Sequence, residues 1–150
     1  MRILPCVALA GAVVTGPFRA SAEDLLTLAE PQVVLEMAKG FGSAEIDCDG
    51  SGDPMIAGRI QGLKYAIYFY GCAKAKDCRS IQFSTGYDDA WTIEKANEFN
   101  KKFRWVKAFE AEGSNFKMDV DFKGGVSKRF LEEQFVTWNG FIEDMREAVK

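Results

Sequence analysis

Three cysteines and a set of acidic residues are the side chains of this sequence whose types and spacing could carry chemistry. Cys48, Cys72 and Cys78 offer thiols for a disulfide, a redox couple or a metal ion. Asp47-x-Asp49-x-Ser51-Gly52-Asp53 sets oxygen donors at alternating positions with a glycine at the sharp turn, as the opening of a calcium loop does. Asp119 with Asp121, and Glu132, Glu133, Glu143 and Asp144, are the carboxylates that glycoside or phosphoryl chemistry would draw on, since such sites need two carboxylates facing one cleft. Histidine is absent, which removes His-based triads, His proton shuttles and the commonest metal ligand together.

Each pattern falls short of its chemistry. The calcium imitation stops where a bidentate glutamate is due, because that position is Gly58, and Pro54 interrupts the segment. A turn accounts for it better. A zinc site built on the three cysteines lacks a fourth ligand unless Asp49 or Asp53 is recruited, and the spacing of Cys72 and Cys78 is not the Cys-x-x-Cys of thiol oxidoreductases. The paired carboxylates fall at solvent positions of a strand alternation or opposite the apolar stripe of a helix. No catalytic residue, metal ligand or cofactor site is therefore expected.

The N-terminal stretch indicates a compartment. Met1 to Ala22 has one early charge, Arg2, then an apolar run from Ile3 to Val14, then Ala20-Ser21-Ala22 ahead of Glu23-Asp24. That is the anatomy of a secretory signal peptide cleaved after Ala22. The apolar run is too short for the ~20 residues of a membrane span, and Gly16-Pro17 interrupts it. Cys6 lies inside that run, too early for a lipidation site. Cleavage would remove two of the 19 basic residues and none of the 22 acidic ones, taking the net charge from −3 to −5. No basic stripe is present, so nucleic acid is not an expected partner, and a periplasmic or secreted location without a stable membrane anchor is.

The elements that must position these residues follow from periodicity. Pro31 suits the first turn of a helix running to about Lys39, with Val33, Val34, Met37 and Ala38 on one face and Gly40 as its stop. Four strands are predicted next: Ala44 to Cys48, Met55 to Gln61, Leu63 to Tyr70 and Arg79 to Thr85. In the third, Leu63, Tyr65, Ile67 and Phe69 alternate with Lys64, Ala66, Tyr68 and Tyr70. Thr92 caps a second helix whose Ile93, Ala96, Phe99 and Phe103 recur at helical spacing. A second hairpin spans Arg104 to Ala111 and Phe116 to Phe122. Ser127 caps a long final helix with Phe130, Leu131, Phe135, Trp138, Phe141, Ile142, Met145 and Val149 as its apolar stripe. The order α-β-β-β-β-α-β-β-α predicts an α+β fold, an antiparallel sheet packed by helices, in a single domain over residues 23–150.

This arrangement places the cysteines. Cys72 and Cys78 flank a polar loop between antiparallel strands, where strand ends face each other, and in an exported protein a disulfide is the default. Cys48 lies at the same sheet edge, but two strand spacings, about 9.6 Å, separate it from the third strand. Cys72–Cys78 with Cys48 free is favoured over Cys48 bridged to either one. Tyr68 and Tyr70, with Ala66, occupy the second face of the third strand. Left bare by the helices, that face is an aromatic patch suited to a partner; covered by the last helix or a second subunit, it is packing.

Several blocks then look familiar in order: Asp49-Gly50-Ser51-Gly52-Asp53-Pro54 into Ile56-Ala57-Gly58-Arg59; Tyr68-Phe69-Tyr70-Gly71-Cys72; Cys78-Arg79-Ser80-Ile81-Gln82-Phe83; Ala96-Asn97-Glu98-Phe99-Asn100 with Phe103-Arg104; and Met118-Asp119-Val120-Asp121 with Gly124-Gly125-Val126-Ser127. Together, over about Glu30 to Met145, they resemble the YbjN-domain family, described as bacterial sensory-transduction regulators. The resemblance implies a type III secretion chaperone-like fold, often dimeric, and no established reaction; chaperone activity itself does not follow from a shared fold. The expected function is that of an exported, non-enzymatic binding or regulatory protein acting through protein contacts, as a homodimer. Two other functions stay open: a chaperone holding an extended polypeptide along a sheet edge, and an envelope metal or thiol protein built on the Cys48, Cys72 and Cys78 corner.

Overall fold

A computed structural model describes residues 24–88 and 91–150. The expected signal segment, residues 1–22, lies outside them. Helix α1 (Pro31–Lys39) leads into four strands, β1 (Ser43–Cys48), β2 (Pro54–Ile60), β3 (Leu63–Tyr70) and β4 (Ser80–Tyr87). Helix α2 (Ile93–Lys102), strands β5 (Lys107–Glu110) and β6 (Ser114–Asp121), and helices α3 (Lys128–Gly140) and α4 (Ile142–Ala148) complete the chain. The strands form one sheet, antiparallel throughout, in the order β1-β2-β3-β4-β6-β5. The fold is α+β, as the element order predicts.

Local chemistry explains the boundaries. Pro31 sits in the first turn of α1. The Thr92 and Ser127 side chains accept from the backbone N–H of Lys95 and Phe130, capping α2 and α3. Gln61 and Gly62 both have positive φ, 47° and 81°, the two-residue turn whose twist matches a β-hairpin. That turn docks on the helices: Gln61 Nε2 donates to Asn139 Oδ1 at 2.8 Å, and the Arg146 guanidinium donates to the Gln61 carbonyl.

All helices of the described residues cover one face of the sheet. Register places Ile56, Ile67, Phe83 and Met118 in one row across β2, β3, β4 and β6, all buried. Phe135 and Trp138 of α3 pack on Phe83, at 4.9 and 5.5 Å between centroids. Phe99 of α2 packs on Phe116 at 5.0 Å, and Trp91 joins it at 5.2 Å. These aromatic contacts dominate the apolar area removed from water.

Two apolar residues expected inward face solvent instead. Phe130 is exposed because the seam of α3 and α4 runs through Leu131, Phe135, Trp138, Ile142 and Met145, one residue and so about 100° away. Ile93, in the first turn of α2, stands exposed, and β5, on which α2 packs, is only four residues long. The final helical stretch is also interrupted. The Phe141 N–H is shared between the carbonyls of Thr137 and Trp138, both at 3.2 Å, while its ring turns edge-on to Phe103. A glycine at 140 makes that break inexpensive.

Candidate functional site

Among the described residues, the sheet's second face carries no helix. Tyr68, Ala66 and Lys64 of β3 lie on it, paired with Met55, Ala57 and Arg59 of β2 on one side. On the other side Tyr70, Tyr68 and Ala66 pair with Ser80, Gln82 and Ser84 of β4. Beyond β4 the surface continues through Asp121, Asp119 and Lys117 of β6. None of these residues is buried, and Tyr70 is 46% exposed. Alternation alone predicts the face; that it is bare follows from the helices having all gone to the other side. Tyr68 and Tyr70 thus stand on a surface that no part of the described chain buries.

Its centre is held by a polar ladder across three strands. Tyr70 Oη donates to Gln82 Oε1 at 3.4 Å, and Gln82 Nε2 donates to Asp119 Oδ1 at 2.7 Å. Partial burial, followed by the Asp119 charge, pushes the Tyr70 phenol up from its ordinary value. Beside the ladder lies a shallow trough of about 750 Å³. Its floor is the small-residue row Ala57, Ala66 and Ser84, with Arg59 and Lys64 on one rim and Tyr68 on the other. This trough was not expected from the sequence, because its floor comes from three strands whose mutual register only folding sets.

Charge on the face is polarised along the strands. Asp47, Asp119 and Asp121 lie toward one end, in the rows of Tyr68 and Tyr70. Arg59, Lys64, Lys117 and Lys107 lie toward the other. Glu45, on the edge strand β1, is the one acid in the basic half. The ion pairs among the described residues, Lys39–Glu36, Arg146–Glu143 and Lys150–Glu147, all lie within helices or at their ends and leave this face untouched.

Cys72 and Cys78 are joined in a disulfide, and Cys48 is free and exposed. Cys78 is fully buried, and its carbonyl accepts from the Ala29 N–H at 2.7 Å. With the Leu26–Val126 bridge, that bond straps the segment from Leu26 to Ala29 across the sheet end. Asp77, in the closed loop, hydrogen-bonds the Glu30 carboxyl and so raises its pKa. This carboxyl pair lines none of the described cavities.

The other candidate chemistry does not assemble. Asp49 Oδ1 accepts from the N–H groups of Ser51 and Asp53 at 2.8 and 3.0 Å, so the calcium-like run is a turn closed on its own backbone. Among the described residues no group of three or more Cys, Asp or Glu side chains could hold a metal ion. Asp119 is engaged by Gln82, and Glu143 by Arg146.

A six-stranded antiparallel sheet with helices on one side and a bare, charge-polarised face on the other defines a small α+β domain built around a surface. Residues 30–150 match the family model YbjN, whose description reads "Putative bacterial sensory transduction regulator", and the chain belongs to that family. The family's description gives the protein a regulatory role. No curated protein matches the sequence.

Proposed function

We propose that this YbjN-family protein is an exported, non-enzymatic regulator that works by binding protein through the bare face of its sheet. The face itself carries the reading: six strands wide, free of helices among the described residues, with Met55, Tyr68 and Tyr70 set among charged groups. Aromatic and methionine side chains of this kind supply apolar contact area while a polar rim gives orientation. Export is supported by the apolar run from Ile3 to Val14 ahead of Ala20-Ser21-Ala22, and a disulfide suits an oxidising compartment.

The test is to place a photo-crosslinking residue at Tyr68 of the tagged, full-length protein, with a control at exposed Phe130 on the helical side. The expected result is discrete protein adducts from position 68 and none from 130, with a mature N-terminus at Glu23 in the envelope fraction. Equal yields at the two positions would reject the face. A retained Met1 in the cytoplasmic fraction would reject export.

A further inference from the structure

We infer that the basic half of the bare face docks an acidic segment of a partner protein, seated in the trough between two pairs of unneutralised cations. The inference rests on the reading of this face as a protein-contact surface and specifies the chemistry of what it contacts.

Cross-strand register carries it. Arg59 of β2 stands directly opposite Lys64 of β3, and Lys107 of β5 directly opposite Lys117 of β6. Like charges facing each other across neighbouring strands destabilise a sheet, and none of these four is in an ion pair among the described residues. Composition does not force the arrangement, because the chain has 22 acidic residues against 19 basic ones. Two of the cations are also held in place. Arg59 Nη1 donates to the Gly62 carbonyl at 2.7 Å, and the Lys117 ammonium lies 4.8 Å from the centre of the Phe109 ring. Only β4 separates β3 from β6, so the two pairs are about 9.6 Å apart at their nearest strands. Carboxylates of one segment laid between them would turn both repulsions into attractions.

Shape, and the opposite charge at the far end, select the source of the anion. The trough floor is Ala57, Ala66 and Ser84, small enough for a backbone to approach, with Tyr68 as an aromatic wall. A free anion would find no closed pocket there, since Arg59 and Lys64 are both exposed. A flat anionic membrane laid on the face would also press against Asp47, Asp119 and Asp121, and like charges at close range cost free energy. A polypeptide can change sign along its length, with carboxylates over the basic half and neutral or basic residues over the acidic half. The rows of Tyr70 and Lys64 lie about 20 Å apart along β3, the length of a short segment.

The test compares wild type with three charge variants. Lys64→Glu and Lys117→Glu each set an acid opposite a base across the strands, and Lys128→Glu makes the same change of net charge on the helical side. The first two should melt at or above wild type, because each exchanges a like-charge pair for an opposite one. Each should nonetheless weaken binding of a fluorescein-labelled oligoglutamate peptide to the mature protein, read by anisotropy, about tenfold. The adduct yield from a crosslinker at position 68 of the full-length protein in cells should fall with it. Lys128→Glu should leave binding and adducts unchanged. Equal losses in all three variants would reduce the effect to net charge and overturn the inference, as would a wild type that does not bind oligoglutamate. Phosphatidylglycerol vesicles or inorganic phosphate binding more tightly than the peptide, with that binding lost in the same two variants, would assign the cations to lipid or to a free anion and overturn it too. If position 68 keeps its adducts in both variants, the contact face stands and the acidic segment falls. If position 68 gives no adducts in wild type, the two fall together.

Discussion

The Tyr65 ring lies directly over Gly58, its cross-strand partner, so closely that a Cβ added at 58 would meet Tyr65 Cζ at 2.5 Å. The pair locks β2 to β3 beneath the trough and leaves the glycine no room to become anything larger. Gly58→Ala should therefore destabilise the fold, by about 1–3 kcal/mol of overpacking against the ~0.5–1 kcal/mol that alanine gains over glycine in a strand. Urea unfolding of the variant checks it. In a Tyr65→Leu background the same substitution should cost nothing or stabilise, because the ring it strikes is gone.

Tyr65 also sets an alkaline limit. Its hydroxyl is buried without a hydrogen-bond partner, and burial pushes its pKa from 10.0 up to about 12. The folded state therefore resists deprotonation where the unfolded chain does not, so stability is unaffected by Tyr65 below pH 10 and falls as pH rises from 10 toward 12. Tyr65→Phe should be more stable at neutral pH by about 1 kcal/mol, from the removal of an unpaired hydroxyl. Its advantage should widen above pH 10. Parallel pH dependences for the two proteins would count against this account. Tyr70 and Tyr87, also raised by burial, leave a slope common to both proteins, so the difference isolates position 65.

The Cys72–Cys78 bridge closes a loop of sequence separation 6 in which Lys74, Ala75 and Asp77 adopt left-handed φ. Replacing both cysteines by alanine should cost about 2 kcal/mol on the chain-entropy estimate for so short a loop. The loss should appear first in the strap, since the Ala29 N–H is held by the Cys78 carbonyl. Hydrogen exchange at Ala29 should accelerate on reduction. Unchanged exchange would mean that the Leu26–Val126 bridge alone secures the segment. Alkylation of the native mature protein should label Cys48 only, and reduction should expose the other two thiols.

How far the sequence reveals this molecule depends on whether a feature is local. Helix α1, the Thr92 and Ser127 caps and the alternation of β3 are set by neighbours a few residues apart, so periodicity and capping chemistry suffice. Tyr68 and Tyr70 are legible as a second face for the same reason. Which face the helices would take is not, because that choice is made by Phe135, Trp138 and Phe99 meeting strands far away in the chain. The trough and the charge polarity depend on register among β2, β3, β4 and β6, which no single strand encodes. The exposed Phe130 shows the limit from the other side: an apolar residue one step off the seam reads as core until the seam's direction is known.

Asn100 is the polar residue whose role the sequence hides most completely. In the last turn of α2 it reads as solvated surface, yet it is half-buried and makes two bonds to one residue of the neighbouring strand. Its Nδ2 donates to the Ala108 carbonyl and its Oδ1 accepts from the Ala108 N–H, both at 2.8 Å. The side-chain amide thus does for β5 what a further strand would do, satisfying both backbone groups of Ala108 on the sheet's outer edge, where a buried unpaired group costs about 1–3 kcal/mol. Asn100→Ala should lower stability by roughly that amount and raise amide exchange at Ala108 above that of β6. Asn100→Asp keeps the acceptor but sets a carboxylate oxygen against the Ala108 carbonyl, so it should be at least as harmful at neutral pH and recover as acid protonates it. If alanine and aspartate prove equally mild, α2 is held by Phe99 and Ala96 alone and the amide is incidental.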